Sequence, residues 1–240
     1  VLKYGPILAM FLRKHEFDIV HTQDSQMHLI WVFACKLARK KHVMHVRNNL
    51  HRKSKGLRIA LVLTSAVICV SEYIAGQTNF KAKVIHNPIE PEAKRNEGSA
   101  KKASGLVSIT SRVYEIAWIG NIKSQKRPDW VPFIGKELVG LGLSNFRINM
   151  LGEIRDPELM AKVNSDVVYL GLEDKVVFKG WVNNPKELIW NSDVLISTSH
   201  REAYGRTLIE AMSLQTPVLA TDEGGHPEVL EDGRLGTLVR

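Results

Sequence analysis

The sequence predicts an α/β protein in which parallel sheets are covered by helices on both faces and divided between two domains. Three observations carry this. Short runs rich in β-branched residues alternate with longer segments of helical period. A polar stretch near residue 90 interrupts that alternation. The charge balance changes sign across the same stretch, with 18 Lys and Arg against 7 Asp and Glu up to Ser104, and 15 against 18 afterwards.

The strand segments, in order, are Phe17–Thr22, Val43–Arg47, Ala66–Ser71, Val84–His86, Ile116–Ile119, Phe146–Leu151, Val176–Lys179, Val194–Ser197 and Val218–Ala220. Helical period is clearest over Gln26–Arg39, Trp130–Val139, Pro157–Tyr169 and Thr207–Ser213. Near-continuous apolar strands flanked by helices suit buried parallel sheets. The interruption holds Pro91, Gly98 and several Lys and Arg, with few large apolar residues. It is expected to be a linker over 89–105, between a partial Rossmann-like domain at 1–88 and a second Rossmann-like domain at 106–240. Such halves bind ligands at the carboxyl ends of their strands. The chain opens on Val1 without an initiator methionine and closes at Val239-Arg240 in a strand-like run, so a fragment cut at both ends is expected.

Composition narrows the function. With 44% apolar and 24% charged residues the chain is ordinary globular material. No apolar stretch approaches the roughly 20 residues of a membrane span. Cys35 and Cys69 lie in separate apolar segments and read as buried free thiols, consistent with a reducing, cytoplasmic setting. The basic runs Arg39-Lys40-Lys41 and Arg52-Lys53-Ser54-Lys55 suit an anionic lipid surface or a phosphorylated acceptor, or simply a solvated face. They lack the interleaved aromatics of single-strand readers, so nucleic acid is not an expected partner.

The segment Asp193–Gly225 carries the chemistry: strand, polar turn, helix, strand, glycine turn. The turn His200–Arg206 sits where a parallel strand hands over to a helix. There the N–H groups of Thr207 and Leu208, and the positive helix end, suit a phosphate. Gly205 permits close backbone approach. Glu210, read as lying in the first turn of that helix, is suited to accept hydrogen bonds from vicinal ribose hydroxyls. Glu202, on the preceding loop, is placed to orient sugar hydroxyls. Either acid alone is as well explained as a surface glutamate; the two together with the turn make a site.

The spacing of Glu202 and Glu210 within EAYGRTLIEAMSLQTPVLATDEGGHPEVLEDGRLGTLV closely resembles the paired-glutamate motif of the retaining GT-B glycosyltransferases of family 4, the glycosyl transferases group 1. Asp18–His21, Val84–Ile89, Trp118–Asn121 with Gln125–Pro128, and Val177–Val182 are similar to other segments of that family. The resemblance implies a GT-B fold and a nucleoside-diphosphate-sugar donor. Glu210 would hold the ribose, and Glu202 the hexose near the reacting carbon. Ala203, Tyr204, Gly205, Arg206, Thr207 and Leu208 would line the hexose and diphosphate. Gly120, Asn121 and Lys126 would form the glycine–basic–lysine segment against the diphosphate, and Val182 would lie beside the base. Lys126 and Glu202 would be catalytic, the ammonium stabilising the departing diphosphate. Asn121 departs from the family, where Arg commonly follows the glycine; Arg127 and Arg206 are candidates to replace its charge.

Other chemistries lack support. There is no Asp-x-Asp pair to clamp a metal, so no metal or other cofactor is expected. His42 and His45 are offset by three on a strand and point to opposite faces. No Gly-x-Gly-x-x-Gly follows a strand, which weighs against a nicotinamide dehydrogenase. The expectation is front-face transfer of a hexose-type sugar to a glycan or lipid-linked acceptor, with the basic half peripheral at the inner face of the membrane. The alternatives are a non-catalytic nucleotide-sugar-binding module, or a phosphorylase or epimerase of the same fold.

Overall fold

The computed structural model describes residues 4–50, 55–89 and 112–240. Contacts divide the chain into two compact units, Val1–Pro88 and Ile89–Arg240. Beyond residue 89, the segment assigned to a linker lies outside the described residues.

The first unit runs α1 (Gly5–Lys14), β1 (Ile19–Thr22), α2 (Ser25–Ala38), β2 (Lys41–Val46), α3 (Lys55–Leu63), β3 (Ala66–Cys69), α4 (Glu72–Thr78) and β4 (Lys83–Val84). Its strands form one parallel sheet in the order β1-β2-β3-β4. Helix α2 starts where the Asp24 carboxylate accepts the Gln26 and Met27 amides at 2.9 and 3.4 Å, and stops at Arg39, which adopts a left-handed φ of 57°. The small buried residues Ala34, Cys35 and Ala38 on α2 let Ala9 and Leu12 of α1 approach closely. Both cysteines are buried free thiols, and burial pushes each up to about 11.

The second unit runs β5 (Tyr114–Ile119), two 3-10 turns, α5 (Val131–Gly140), β6 (Phe146–Leu151), α6 (Pro157–Tyr169), β7 (Val176–Gly180), α7 (Lys186–Asn191), β8 (Val194–Ser197), α8 (Arg206–Ser213), β9 (Val218–Thr221), α9 (His226–Val229) and β10 (Thr237–Val239). Six parallel strands stand in the order β10-β9-β8-β5-β6-β7. The chain moves outward from β5 through β6 to β7, then returns to β5's other side to lay down β8. The strand order therefore reverses between β5 and β8, where an open α/β sheet leaves a crevice at its carboxyl edge. Buried Trp118, Ile122, Val131, Ile148, Met150, Val163 and Leu172 form the core beneath it.

Three strands in a row reach that edge at a glycine: Gly120 after β5, Gly152 after β6 and Gly180 at the end of β7. Gly120 N–H donates to Leu151 O and Gly152 N–H to Gly180 O, both at 2.9 Å. A Cβ on Gly152, whose φ is +149°, would collide with the Gly120 carbonyl. The rim is thus built without side chains.

Candidate active site

The loop after β5 and the loop after β8 face each other across the strand-order reversal. They are joined by hydrogen bonds. Trp118 Nε1–H donates to Thr198 Oγ1 at 2.8 Å, and Thr198 Oγ1 lies 2.8 and 3.0 Å from the carbonyls of Lys126 and Arg127. His200 N–H donates to Gln125 O at 2.7 Å, and Gln125 Nε2 to Arg201 O at 3.2 Å. A 3-10 turn over Ser124–Lys126, closed by Arg127 at φ 49°, sets the direction of the Lys126 side chain. That chain lies across Gly120, where a Cβ would sit 3.2 Å from Lys126 Cδ.

Lys126 Nζ reaches Glu202 Oε2 at 2.6 Å, and the two side chains are only 17% and 16% exposed. Burial pushes the Glu202 carboxyl upward. The Lys126 charge and hydrogen bond, helped by the Lys123 charge, outweigh burial and hold it below the usual carboxylate range. Glu202 is therefore an anion gripping one cation, with a second oxygen left for another donor.

The Gly224-Gly225 turn after β9 supports this loop from beneath. A Cβ on Gly224 (φ +66°) would fall 2.5 Å from Glu202 N, and one on Gly225 would fall 2.8 Å from Tyr204 Cα. Gly225 N–H donates to Glu202 O at 2.7 Å. Ala203 and Tyr204 are buried against that turn, and burial raises the Tyr204 phenol, which stays protonated at neutral pH.

Helix α8 begins at Gly205, whose φ of +99° suits only glycine. The fully buried His226 ring lies against it, with Cδ2 at 3.0 Å from where a Cβ would stand. Its Nδ1 donates to Thr221 O at 3.0 Å, which leaves Nε2 to accept from Ser197 Oγ at 3.3 Å. Burial lowers its basicity and keeps it neutral.

Some expectations are corrected. Leu208 N–H is not open to a phosphate: it donates to Gly205 O at 3.0 Å, and the Leu208 side chain is fully buried core. Glu210 is the fifth residue of α8, which has no acid in its first turn, so the helix end does not stabilise it as expected. Glu210 instead pairs with Arg206 at 3.3 Å, one turn apart. Arg127 is turned onto the Trp130 ring, 4.3 Å from its centroid, and pairs with Asp129 at 3.2 Å. It is not placed to replace the family's arginine. Asn121 ties its loop to the one after β6, Oδ1 accepting from Glu153 N–H at 3.2 Å. Val182 is exposed beyond β7, two strands and roughly 10 Å from β5.

The structure thus brings Gly120, Lys126, Glu202 and Gly205 to one crevice, with Ala203 and Tyr204 packed behind and Arg206, Thr207 and Glu210 along the first turns of α8. The sequence reading missed Thr198, which bridges the two loops, and His226, which buttresses Gly205. Their only sequence signals are a hydroxyl-rich strand end, Ser197-Thr198-Ser199, and a histidine directly after two glycines.

Fold and crevice together define a protein of two α/β units, the second with a crevice at the carboxyl edge of its parallel sheet. Comparison with known proteins carries this further. The glycosyl transferases group 1 model matches residues 143–240, and the glycosyltransferase family 4 model matches residues 1–93. An uncharacterized 41.2 kDa protein in the cps region of Klebsiella pneumoniae is 26% identical over 97% of this chain and 68% of its own length. The N-acetyl-alpha-D-glucosaminyl L-malate synthase of Bacillus anthracis is 25% identical over 96% of this chain and 63% of its own length. Anabaena HepE in complex with UDP and glucose has the same fold, with a TM-score of 0.79 and 21% identity over 99% of this chain and 68% of that one. The first 93 residues of the chain thus match glycosyltransferase family 4 and the last 98 the glycosyl transferases group 1, on a fold shared with GT-B glycosyltransferases.

Proposed function

We propose that the protein transfers a hexose-type sugar from a nucleoside-diphosphate donor to a glycan or lipid-linked acceptor, with retention at the anomeric carbon and without a resident metal. The observation that carries this reading is the Lys126–Glu202 pair at the strand-order reversal, beside the left-handed start of α8. An ammonium there meets the charge that develops on a departing diphosphate, and preorganised charge of this kind is commonly the largest catalytic term. The second Glu202 oxygen accepts a hexose hydroxyl. The Arg206–Glu210 pair is exposed on its arginine side and worth only about 0.3–0.5 kcal/mol, so a ribose hydroxyl pair displaces it readily. Thr207 N–H, at the helix start, faces the phosphate. No side chain is needed as nucleophile, since a donor phosphate oxygen takes the acceptor proton.

Among the described residues, no group of three or more His, Cys, Asp or Glu is placed to hold a metal, and no helix is long and apolar enough to cross a membrane. HepE was solved in complex with UDP-glucose, which makes UDP-sugars the first donors to test. The test is thermal shift with UDP-, GDP- and ADP-sugars, followed by transfer from radiolabelled donor. A stabilising donor that is turned over supports the reading. Stabilisation without turnover in the full-length protein leaves a binding module, and phosphate-dependent release of a sugar phosphate indicates a phosphorylase.

A further inference from the structure

The first unit holds a pocket of about 560 Å³ at the carboxyl ends of β1 and β2, lined by Gln23, Gln26, His28, Arg47, Asn48 and Leu57 among others. No described lining residue is acidic. Among the described residues Arg47 is bound to neutral amides, donating to Gln23 Oε1 at 2.8 Å and Asn87 Oδ1 at 3.2 Å. The start of α2 contributes little, because Asp24 already occupies it.

Behind the wall runs a chain of hydrogen bonds, buried at Thr22, His28 and His42 and partly buried at Thr64. Thr64 Oγ1 lies 2.9 and 3.2 Å from the carbonyls of His42 and Ala66, and 2.8 Å from His42 Nδ1. Carbonyls only accept, so the hydroxyl proton goes to one of them, and Thr64 must accept from His42 Nδ1–H. Neutral His42 then has a bare Nε2, which accepts from Thr22 Oγ1–H at 2.9 Å. Thr22 Oγ1 in turn accepts from His28 Nδ1–H at 2.6 Å. His28, only 2% exposed and facing the pocket, therefore presents Nε2 as an acceptor with its tautomer fixed.

We infer that this pocket binds an anionic polyol, a sugar or cyclitol carrying a phosphate or carboxylate, with Arg47 taking the anion and His28 Nε2 accepting a ligand hydroxyl. A guanidinium held by neutral amides selects negative charge, and a fixed acceptor rejects ligands that lack a hydroxyl at that point. That such a ligand is the sugar acceptor rests on the transferase reading; the binding itself does not.

The test is calorimetric titration of the whole chain with glucose 6-phosphate, glucose and inorganic phosphate, alongside UDP as a separate probe of the second unit. Glucose 6-phosphate is expected to bind at least about tenfold more tightly than either of its parts. Arg47→Gln is expected to cut its affinity about tenfold or more without changing that for glucose, and His28→Asn to weaken both sugars; UDP binding stays the same in each variant. Long-range proton–nitrogen spectra read the tautomer directly in the unmodified protein. Competition by phosphatidylinositol vesicles, against phosphatidylcholine controls, separates a lipid headgroup from a free sugar phosphate as the source. Absence of glucose 6-phosphate binding, equal affinity for phosphate alone, indifference to both substitutions, or a proton on His28 Nε2 at neutral pH overturns the inference. Loss of UDP binding in the unmodified chain would instead strike the transferase reading and leave this one standing.

Discussion

Replacing Lys126 by Met gives the sharpest test of the crevice, because the change strands an anion. Glu202 is 16% exposed, and its charge is held by Lys126 at 2.6 Å. Breaking a buried pair from one side costs about 3–5 kcal/mol; with a sixth of each side chain still in contact with water, we expect about 2–3 kcal/mol at pH 7. Without Lys126, burial governs Glu202 and its pKa rises, so the penalty has a definite pH dependence. In the native protein the carboxyl is held below its ordinary value, so this contribution is present above the unfolded pKa and lost as pH falls through the folded one. In the Lys126→Met variant the sign is reversed: the carboxyl takes up a proton on folding, and the variant gains stability relative to the parent as pH falls. Denaturant unfolding of both proteins at pH 7 and pH 4.5 measures this, and the destabilisation should shrink by roughly half or more. A cycle with Glu202→Gln and the double variant should return a coupling of about 1–3 kcal/mol. A penalty equal at both pH values, or a coupling below about 0.5 kcal/mol, would show that the pair does not hold the site and would refute the argument.

Other consequences can be measured separately. The same Lys126→Met variant should lower kcat for sugar transfer about 10²–10³-fold, a larger effect than on UDP affinity, as read by steady-state kinetics against calorimetry. Gly224→Ala should abolish transfer and lower the melting temperature, since its Cβ would strike the Glu202 backbone from a left-handed φ of 66°. His28 and His42 are each pushed down to about 4, mainly by burial. Their neutral forms therefore support folding fully above about pH 6.5, and that support drains away as pH falls toward 4, at roughly 2–3 kcal/mol per histidine. Unfolding monitored between pH 7 and 4 should show this loss, and a flat profile would contradict the buried hydrogen-bonded chain. Glu210→Gln should weaken UDP binding about tenfold with a stability change under about 0.5 kcal/mol.

Much of this architecture could be read from residue patterns because parallel strands are buried on both faces. Runs such as Phe146–Leu151 and Val194–Ser197 therefore carry a continuous apolar signal, and both segments are strands as expected. Edges were less legible. β4 retains only Lys83 and Val84, since a last strand paired on one side has little to bury. The helix expected over Trp130–Val139 is present as α5, but it is entered through two 3-10 turns with Arg127 left-handed between them, a conformation that no propensity of arginine foretells. In the crevice, Glu202 and Lys126 could be singled out from the sequence because each lies in a short polar loop after a strand; their 2.6 Å pairing could not. The closure of Leu208 N–H onto Gly205 O was not, because it depends on one backbone angle. The bridges of Thr198 and the chain from His28 to Thr64 join residues up to 80 positions apart, and only the folded sheet brings them together.

The placement of Trp118 has a practical corollary. Its indole is 2% exposed, tethered through Nε1 to Thr198, and its Cη2 would lie 3.4 Å from a Cβ on Gly120. The same ring thus borders both the apolar interior and the Lys126 loop, so it acts as an internal optical gauge. Its emission, isolated by replacing the other four tryptophans with phenylalanine, would follow occupancy of the crevice in real time without a dye, a label or a coupled enzyme.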